Sequence, residues 1–241
     1  MKKRLPFLLL GLVCLAPLAL RADGEETLWK IDFKDLGEGK TPVETTYGAL
    51  PNTGPQRVMT DKDNTLLGGG KPFGSIETPL LYHKGGPANY TPALWLTAAA
   101  PLLSGTVTVS FDLGFDSLAM AANPVETLMA FPFLNDKGGT DFLLVVANGG
   151  DGLLLSIAGL GKQGSATFRL GEVAHVKGVL DLTNHTFQAF VNDKPLGEPV
   201  KDEAKFSGFK GFIVRDGSAL GGNKGATFTA AVGNIVVTHQ P

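Results

Sequence analysis

Between residues 106 and 115 the chain alternates strictly between apolar and polar side chains. The apolar positions are Val107, Val109, Phe111, Leu113 and Phe115, and Thr106, Thr108, Ser110 and Asp112 lie between them. Successive side chains of a β-strand point to opposite faces, so a period of two predicts a strand with one buried face and one exposed face.

Similar runs recur along the chain, and clusters of glycine separate many of them. We predict further strands at Leu28–Phe33, Thr140–Ala147, Gly152–Ala158, Ala166–Leu170, Ala174–Leu182, Thr186–Asn192, Phe209–Arg215 and Ala226–His239. The only segments that favour a short helix are Ser117–Ala122 and Asp202–Phe206. Many short strands, turn signals between them and no fixed-period repeat predict an all-β sandwich of two antiparallel sheets.

The stretch from Phe33 to Thr91 is less regular. Six prolines interrupt it, at positions 42, 51, 55, 72, 79 and 87. Proline cannot donate to a β-ladder, so this stretch predicts short edge strands and long loops. Loops on a rigid sandwich often carry the binding site, which makes this a candidate binding region.

Residues 1–22 have the three-part pattern of a secretory signal peptide. Lys2, Lys3 and Arg4 form the basic start, Leu5–Leu18 the apolar segment, and Ala22 a small residue before a polar stretch. We therefore predict a cleaved signal peptide at 1–22 and one exported domain at 23–241, periplasmic or extracellular. The short, lysine-led signal is typical of bacteria.

Cys14 raises an alternative, since a cysteine ending an apolar run can carry the lipid of a bacterial lipoprotein. Such sites need a small residue directly before the cysteine, and Val13 is branched. We therefore favour cleavage after Ala22, which removes the single cysteine of the chain. The mature protein would then have no disulfide, zinc-thiolate site or cysteine nucleophile.

Cleavage also changes the charge balance. Four of the 21 basic residues lie in 1–22, which leaves 17 basic against 23 acidic residues, a net charge of −6. Without a basic stripe to neutralise phosphates, nucleic acid is not an expected partner. No apolar run after the signal reaches about 18 residues, so no transmembrane span is expected in the mature chain.

Two hairpin segments resemble a known superfamily. The first is Ala174–Leu182, which contains His175-Val176 and ends in Asp181-Leu182, and the second is Thr186–Asp193, which ends in Asn192-Asp193. They are similar to the central hairpins of concanavalin A-like lectin/glucanase jelly rolls, laminin G-like modules included. Trp29–Phe33 and Val232–Val237 resemble the first and last strands of such domains. The resemblance implies a jelly-roll sandwich in which these two strands pair. Many relatives have an aspartate before the asparagine of the last strand, near a calcium site, where this chain has Gly233.

The residues that glycan-degrading relatives use are not found in their usual patterns. Glucanases of this fold need paired carboxylates at close spacing on one strand, and no Glu-x-Asp-x-x-Glu run is present. The related alginate lyases need an Arg, a Gln-x-His and a Tyr, and none of the four histidines has that context. His175 is interpreted as a framework residue of its strand. The sequence therefore favours binding over catalysis.

Candidate binding residues lie in two places. Flat aromatic rings stack on sugar rings, and Tyr82, Tyr90 and Trp95, with the polar Asn89, form a candidate glycan platform, whereas Trp29 alternates with Ile31 and belongs to the predicted core. Burial of Leu94-Trp95-Leu96 in the core is the alternative. Asp61, Asp63 and Asn64 cluster oxygen ligands that could hold calcium, and an ordinary Asx-rich turn explains them equally well. No other cofactor is expected.

Three functions follow in order of preference. The first is an exported, non-catalytic module that recognises an extracellular or cell-envelope glycan. The second is a structural envelope or matrix protein with a protein partner, which suits the low aromatic content of 8%. The third is a glycan hydrolase or lyase.

Overall fold

The computed structural model describes residues 24–31, 44–45, 48–49, 57–58, 80–83, 93–119, 127–149, 152–158, 164–201, 207–217 and 227–241. Within these residues the chain forms a nine-stranded, a six-stranded and a two-stranded sheet. Every pair of neighbouring strands is antiparallel. The two large sheets pack face to face, which confirms the predicted all-β, two-sheet sandwich.

The described residues contain 17 strands. They are β1 (Glu26–Ile31), β2 (Glu44–Thr45), β3 (Gly48–Ala49), β4 (Arg57–Val58), β5 (Leu80–His83), β6 (Ala93–Leu102), β7 (Thr106–Ala119), β8 (Thr127–Leu134), β9 (Thr140–Asn148), β10 (Leu153–Ala158), β11 (Ser165–Phe168), β12 (Val173–Asp181), β13 (Thr186–Val191), β14 (Lys194–Pro195), β15 (Val200–Lys201), β16 (Phe209–Asp216) and β17 (Thr227–Gln240).

The nine-stranded sheet runs in the order β14-β13-β12-β7-β17-β5-β4, with β1 also paired to β17 and β15 to β13. The six-stranded sheet runs β11-β10-β9-β8-β16-β6, and β2 pairs with β3. Glu26 lies opposite His239 and Ile31 opposite Ile235, so the first and last described strands pair along most of β1. This pairing was expected from the resemblance and is confirmed.

The core lies between the large sheets and is rich in phenylalanine. All five apolar positions of the alternating segment in β7 are 0% exposed, as their period of two predicts. Trp29 also lies in the core, as predicted, at 2% exposure. Phe142 stacks on Phe187 with ring centroids 4.5 Å apart, and Phe111 on Phe131 at 4.6 Å. These contacts join the two sheets.

The turn between β13 and β14 is a tight two-residue hairpin. Asn192 and Asp193 have φ values of 50° and 62°, and Val191 and Lys194 flank them as a cross-strand pair. A two-residue hairpin of this kind requires positive φ at both central positions, which asparagine and aspartate tolerate better than most residues. The Asn-Asp pair therefore adopts the turn conformation that Asn-Gly more usually adopts.

One helix prediction was wrong. Ser117–Ala119 belong to β7 and pair with Thr227–Thr229 of β17, because the ladder between these two long strands continues past the regular alternation. Residues 120–122 and the second proposed helix, Asp202–Phe206, lie outside the described residues.

Strand β8 was not predicted. Seven of its eight residues are buried, so it has no polar alternation, and it contains Pro132 although it lies between β9 and β16. The ladder between β8 and β16 is interrupted at this point, with no pairs between Phe212–Phe133 and Arg215–Ala130. This break accommodates the missing N–H of proline.

The described parts of the irregular stretch 33–91 are four strands of two to four residues, as predicted. Strand β4 lies at an edge of the nine-stranded sheet, and β5 lies inside it. Among the described residues no helix is long and apolar enough to cross a bilayer.

Candidate functional site

A buried carboxylate lies on the outer side of the nine-stranded sheet. In β7, Phe111 and Leu113 point into the core, so Asp112 between them points outward, yet its side chain is only 8% exposed. His175 is its cross-strand neighbour on β12, and His175 Nδ1 lies 2.8 Å from Asp112 Oδ1. Because an ionised carboxylate only accepts hydrogen bonds, the Nδ1–H of His175 is the donor.

The second oxygen of Asp112 binds the closing strand. Asn234 Nδ2 donates to Asp112 Oδ2 at 2.6 Å. Asn234 has a φ of 52°, and the ladder between β7 and β17 shifts between Gly233 and Val236. This irregularity turns the amide of Asn234 toward the carboxylate, so Asp112 links three adjacent strands.

The backbone of His175 is held from the other side. Its N–H donates to Asn192 Oδ1, and the N–H of Asn192 donates to the carbonyl of His175, both at 2.8 Å. The imidazole itself is 47% exposed. In the described part of the chain its Nε2 has no hydrogen-bond partner, so one ring nitrogen is held by protein and the other meets solvent.

Polar side chains continue along this outer face, here called the His175 face. Lys177, the next outward residue of β12, lies opposite Ser110 on β7 and Phe190 on β13. Its Nζ is 4.7 Å from the centre of the Phe190 ring and 3.7 Å from Asp193 Oδ1. Cation–π attraction and a weak ion pair therefore hold Lys177 on the sheet.

Trp95 lies on the outer side of the other large sheet. In β6 its neighbours Leu94 and Leu96 are 1% and 0% exposed and belong to the core, and Trp95 between them is half-buried and points outward. Its Nε1 is buried and has no hydrogen-bond partner in the described part of the chain. Burial of Trp95 in the core, the alternative considered from the sequence, is therefore not observed.

Ile213 and Arg215 on β16 lie beside Trp95. Ile213 is the direct cross-strand partner of Trp95, and Arg215 is two residues further along the same strand and thus on the same face. Ile213 is 2% exposed although it points away from the core. We call Trp95, Ile213 and Arg215 the Trp95 face.

The other members of the predicted platform are not brought to this place by described residues. The backbone of Tyr82 lies in β5 of the nine-stranded sheet, opposite Ala230, whereas Trp95 lies in the six-stranded sheet. Asn89 and Tyr90 lie outside the described residues. The four-residue platform stays a prediction.

The predicted calcium residues Asp61, Asp63 and Asn64 also lie outside the described residues. Elsewhere, no group of three or more His, Cys, Asp and Glu side chains that could hold a metal occurs in the described part of the chain. Asp112, a buried carboxylate of the described residues, accepts hydrogen bonds from an imidazole and an amide.

The sequence did not reveal the link between Asp112, His175 and Asn234. Asp112 is a polar position of an alternating strand, and its neighbours are 63 and 122 residues away. Many relatives in the superfamily that the chain resembles have an aspartate before the asparagine of the last strand, where this chain has Gly233. The structure instead supplies one from β7, directly opposite Gly233.

No protein-family model and no curated protein sequence matches the chain. Similar solved structures include an alginate lyase from Pseudomonas aeruginosa, with 11% identity and a TM-score of 0.48 over 67% of this chain and 83% of that one. The Emp47p carbohydrate recognition domain has 13% identity and a TM-score of 0.42 over 70% of this chain and 92% of that one.

A sialidase is similar at 16% identity and a TM-score of 0.46 over 66% of this chain, which spans only 15% of the length of the sialidase. Identities and TM-scores this low give no activity, ligand or site residue to this chain. The fold itself agrees with the concanavalin A-like jelly roll expected from the sequence, because two antiparallel sheets form a sandwich and the first described strand pairs with the last.

Proposed function

We propose that the protein is an exported, non-catalytic module that binds an extracellular or cell-envelope glycan at the Trp95 face. The observation that carries the proposal is the outward position of Trp95 between two core leucines. An aromatic ring on a rigid strand offers a flat apolar surface for the C–H groups of a sugar ring at little entropic cost.

The surroundings of Trp95 support the same function. Arg215 lies diagonally across from it and places a cationic side chain on the same face. Ile213, which is 2% exposed, lies on the same face between them. An aromatic ring and a cation on adjacent strands are elements of a small saccharide subsite.

The test is binding of the purified protein to a polysaccharide panel, with and without a calcium chelator. We expect at least one glycan to bind, and Trp95→Ala to weaken binding by about tenfold or more, since an aromatic contact of this kind is worth about 1.4 kcal/mol. Leu103→Ala is the matched control, because Leu103 follows the same strand and is 65% exposed.

Binding that Trp95→Ala leaves unchanged would contradict the Trp95 face as the site, and no binding to any glycan would contradict the function. Loss of binding in the chelator would place calcium in the site. Thermal unfolding of each variant shows whether the fold is retained.

Export is part of the proposal and has its own test. We expect the mature protein from the native host to begin at Asp23, which N-terminal mass spectrometry of the periplasmic and secreted fractions would show. An intact Met1 in the cytoplasm would contradict it.

A structural role with a protein partner is the second candidate. It is favoured by a half-buried aliphatic surface on the outer side of β9 and β10, formed by Leu143, Val145, Ala147, Leu154 and Ala158. Sedimentation analysis would test self-association through this surface. If the native protein is a dimer and Val145→Lys is a monomer, this role is supported. If the native protein is itself a monomer, self-association through this surface is excluded.

A further inference from the structure

We propose that the His175 face is a second saccharide-contacting site, in which Asp112 holds His175 Nε2 as a hydrogen-bond acceptor for a sugar hydroxyl. It lies on the nine-stranded sheet, whereas Trp95 lies on the six-stranded sheet. It is independent of the glycan function proposed for Trp95, and either can fail alone.

The first argument is the orientation of the imidazole. Since Nδ1–H donates to Asp112, an imidazole with a single N–H has its free lone pair on Nε2, on the exposed side. The two hydrogen bonds with Asn192 hold the backbone of His175 at the same time. The acceptor is therefore preorganised, and a ligand pays little entropy to use it.

The second argument is the cost of Asp112. A carboxylate with 8% exposure loses most of its hydration, and an asparagine of the same shape could tie the same strands without that cost. A carboxylate differs from the amide in one respect that matters here, because it always accepts from Nδ1 and so determines which nitrogen faces solvent. A buried charge behind an exposed imidazole is thus explained by the orientation of the ring.

The third argument is the neighbouring donor. Lys177 is two residues from His175 on the same strand face, about 7 Å away along the strand, and its contacts with Phe190 and Asp193 keep it on the sheet. An acceptor and a cationic donor side by side match a hydroxyl that donates and a second sugar oxygen that accepts. Ser110, opposite Lys177, adds a hydroxyl group to the same surface.

The decisive variant is Asp112→Asn. It keeps the shape, and its oxygen can still accept from Asn234, but its amide would donate to His175 Nδ1 and move the ring proton to Nε2. His175 would then present a donor instead of an acceptor. Glu172→Gln, which removes an exposed carboxylate just before β12, is the matched control.

The experiment is nitrogen NMR of the histidine side chains, with His185 as the internal reference, during titration with D-glucose, D-galactose, D-mannose and D-glucuronate. We expect His175 to carry a proton on Nδ1 and to shift with at least one sugar, and sugar binding to be about tenfold weaker in Asp112→Asn but not in Glu172→Gln or Trp95→Ala.

Three results would overturn the proposal: a ring protonated on Nε2 in the native protein, no shift with any of the four sugars, or equal affinity in Asp112→Asn. The two sites can be told apart. If sugars shift the His175 signals and Trp95→Ala leaves binding to the polysaccharide panel unchanged, the His175 face is supported and the Trp95 face is rejected.

Discussion

Asp112 and His175 face each other on neighbouring strands, with Asp112 Oδ1 2.8 Å from His175 Nδ1, and they differ sharply in exposure. The carboxylate is 8% exposed and the imidazole 47%. One hydrogen bond thus connects a desolvated charge to a side chain in contact with water.

This relationship predicts unequal effects of two substitutions of Asp112. Asp112→Ala should lower the free energy of unfolding by about 1–3 kcal/mol, because hydrogen bonds from His175 and Asn234 are lost. Asp112→Asn should cost about 1 kcal/mol or less, because both contacts can be remade. Urea denaturation would measure both. Equal losses would show that the charge, rather than the hydrogen bonds, holds the strands together.

Gly178→Ala should destabilise the protein. A Cβ at Gly178 would lie 2.6 Å from Phe133 Cζ and 3.2 Å from Phe187 Cε2, in a close-packed part of the core. We expect a loss of about 1–3 kcal/mol in urea denaturation. Phe133→Leu introduced into the same variant should recover part of the loss by making room. A Gly178→Ala protein as stable as the native one would refute this account.

Trp95→Phe should leave the unliganded protein nearly as stable as before. The indole N–H that it removes makes no hydrogen bond in the described part of the chain, so only some contact area is lost, about 1 kcal/mol or less. Trp29→Phe is the matched control in the core and should cost about 2 kcal/mol. Thermal unfolding would compare them, and a larger loss at Trp95 would contradict its outward position.

Asn184→Ala should change the titration of Asp181. Hydrogen bonds from the side chain and the backbone of Asn184 are the main cause that lowers the pKa of the Asp181 carboxyl. A lowered pKa stabilises the folded state above about pH 4, and this contribution disappears as the pH falls through the folded-state pKa. The variant should therefore show a higher Asp181 pKa by carboxyl NMR and a smaller loss of stability in acid. An unchanged titration would contradict the role of Asn184.

The sequence was most informative where one face of a strand is buried. The alternating residues of β7 were predicted in detail, because the period of a strand is a local property. Strand β8 was missed because both of its faces are buried, which removes the alternation, and because Pro132 argues against a central strand. The end of β7 was misassigned because its pairing with β17 overrides local preference.

The candidate sites depend on burial and on strand register, which the amino-acid sequence alone does not give. Trp95 was found because the chain has only two Trp and three Tyr residues. Its outward direction became clear only from the burial of Leu94 and Leu96. The group around Asp112 was missed because three ordinary polar residues become a site only through strand register. His175 was interpreted as a framework residue, and its bond to Asp112 agrees with that interpretation while adding an oriented nitrogen.

The pairing of β1 with β17 also determines how the molecule folds. Glu26 lies opposite His239, so β1 cannot acquire this partner until β17, more than 200 residues later, has been synthesised. Contacts of such sequence separation are slow to form, since a long loop must close before they contribute. A nascent chain of this topology is therefore expected to stay incompletely folded for longer than one built from local hairpins.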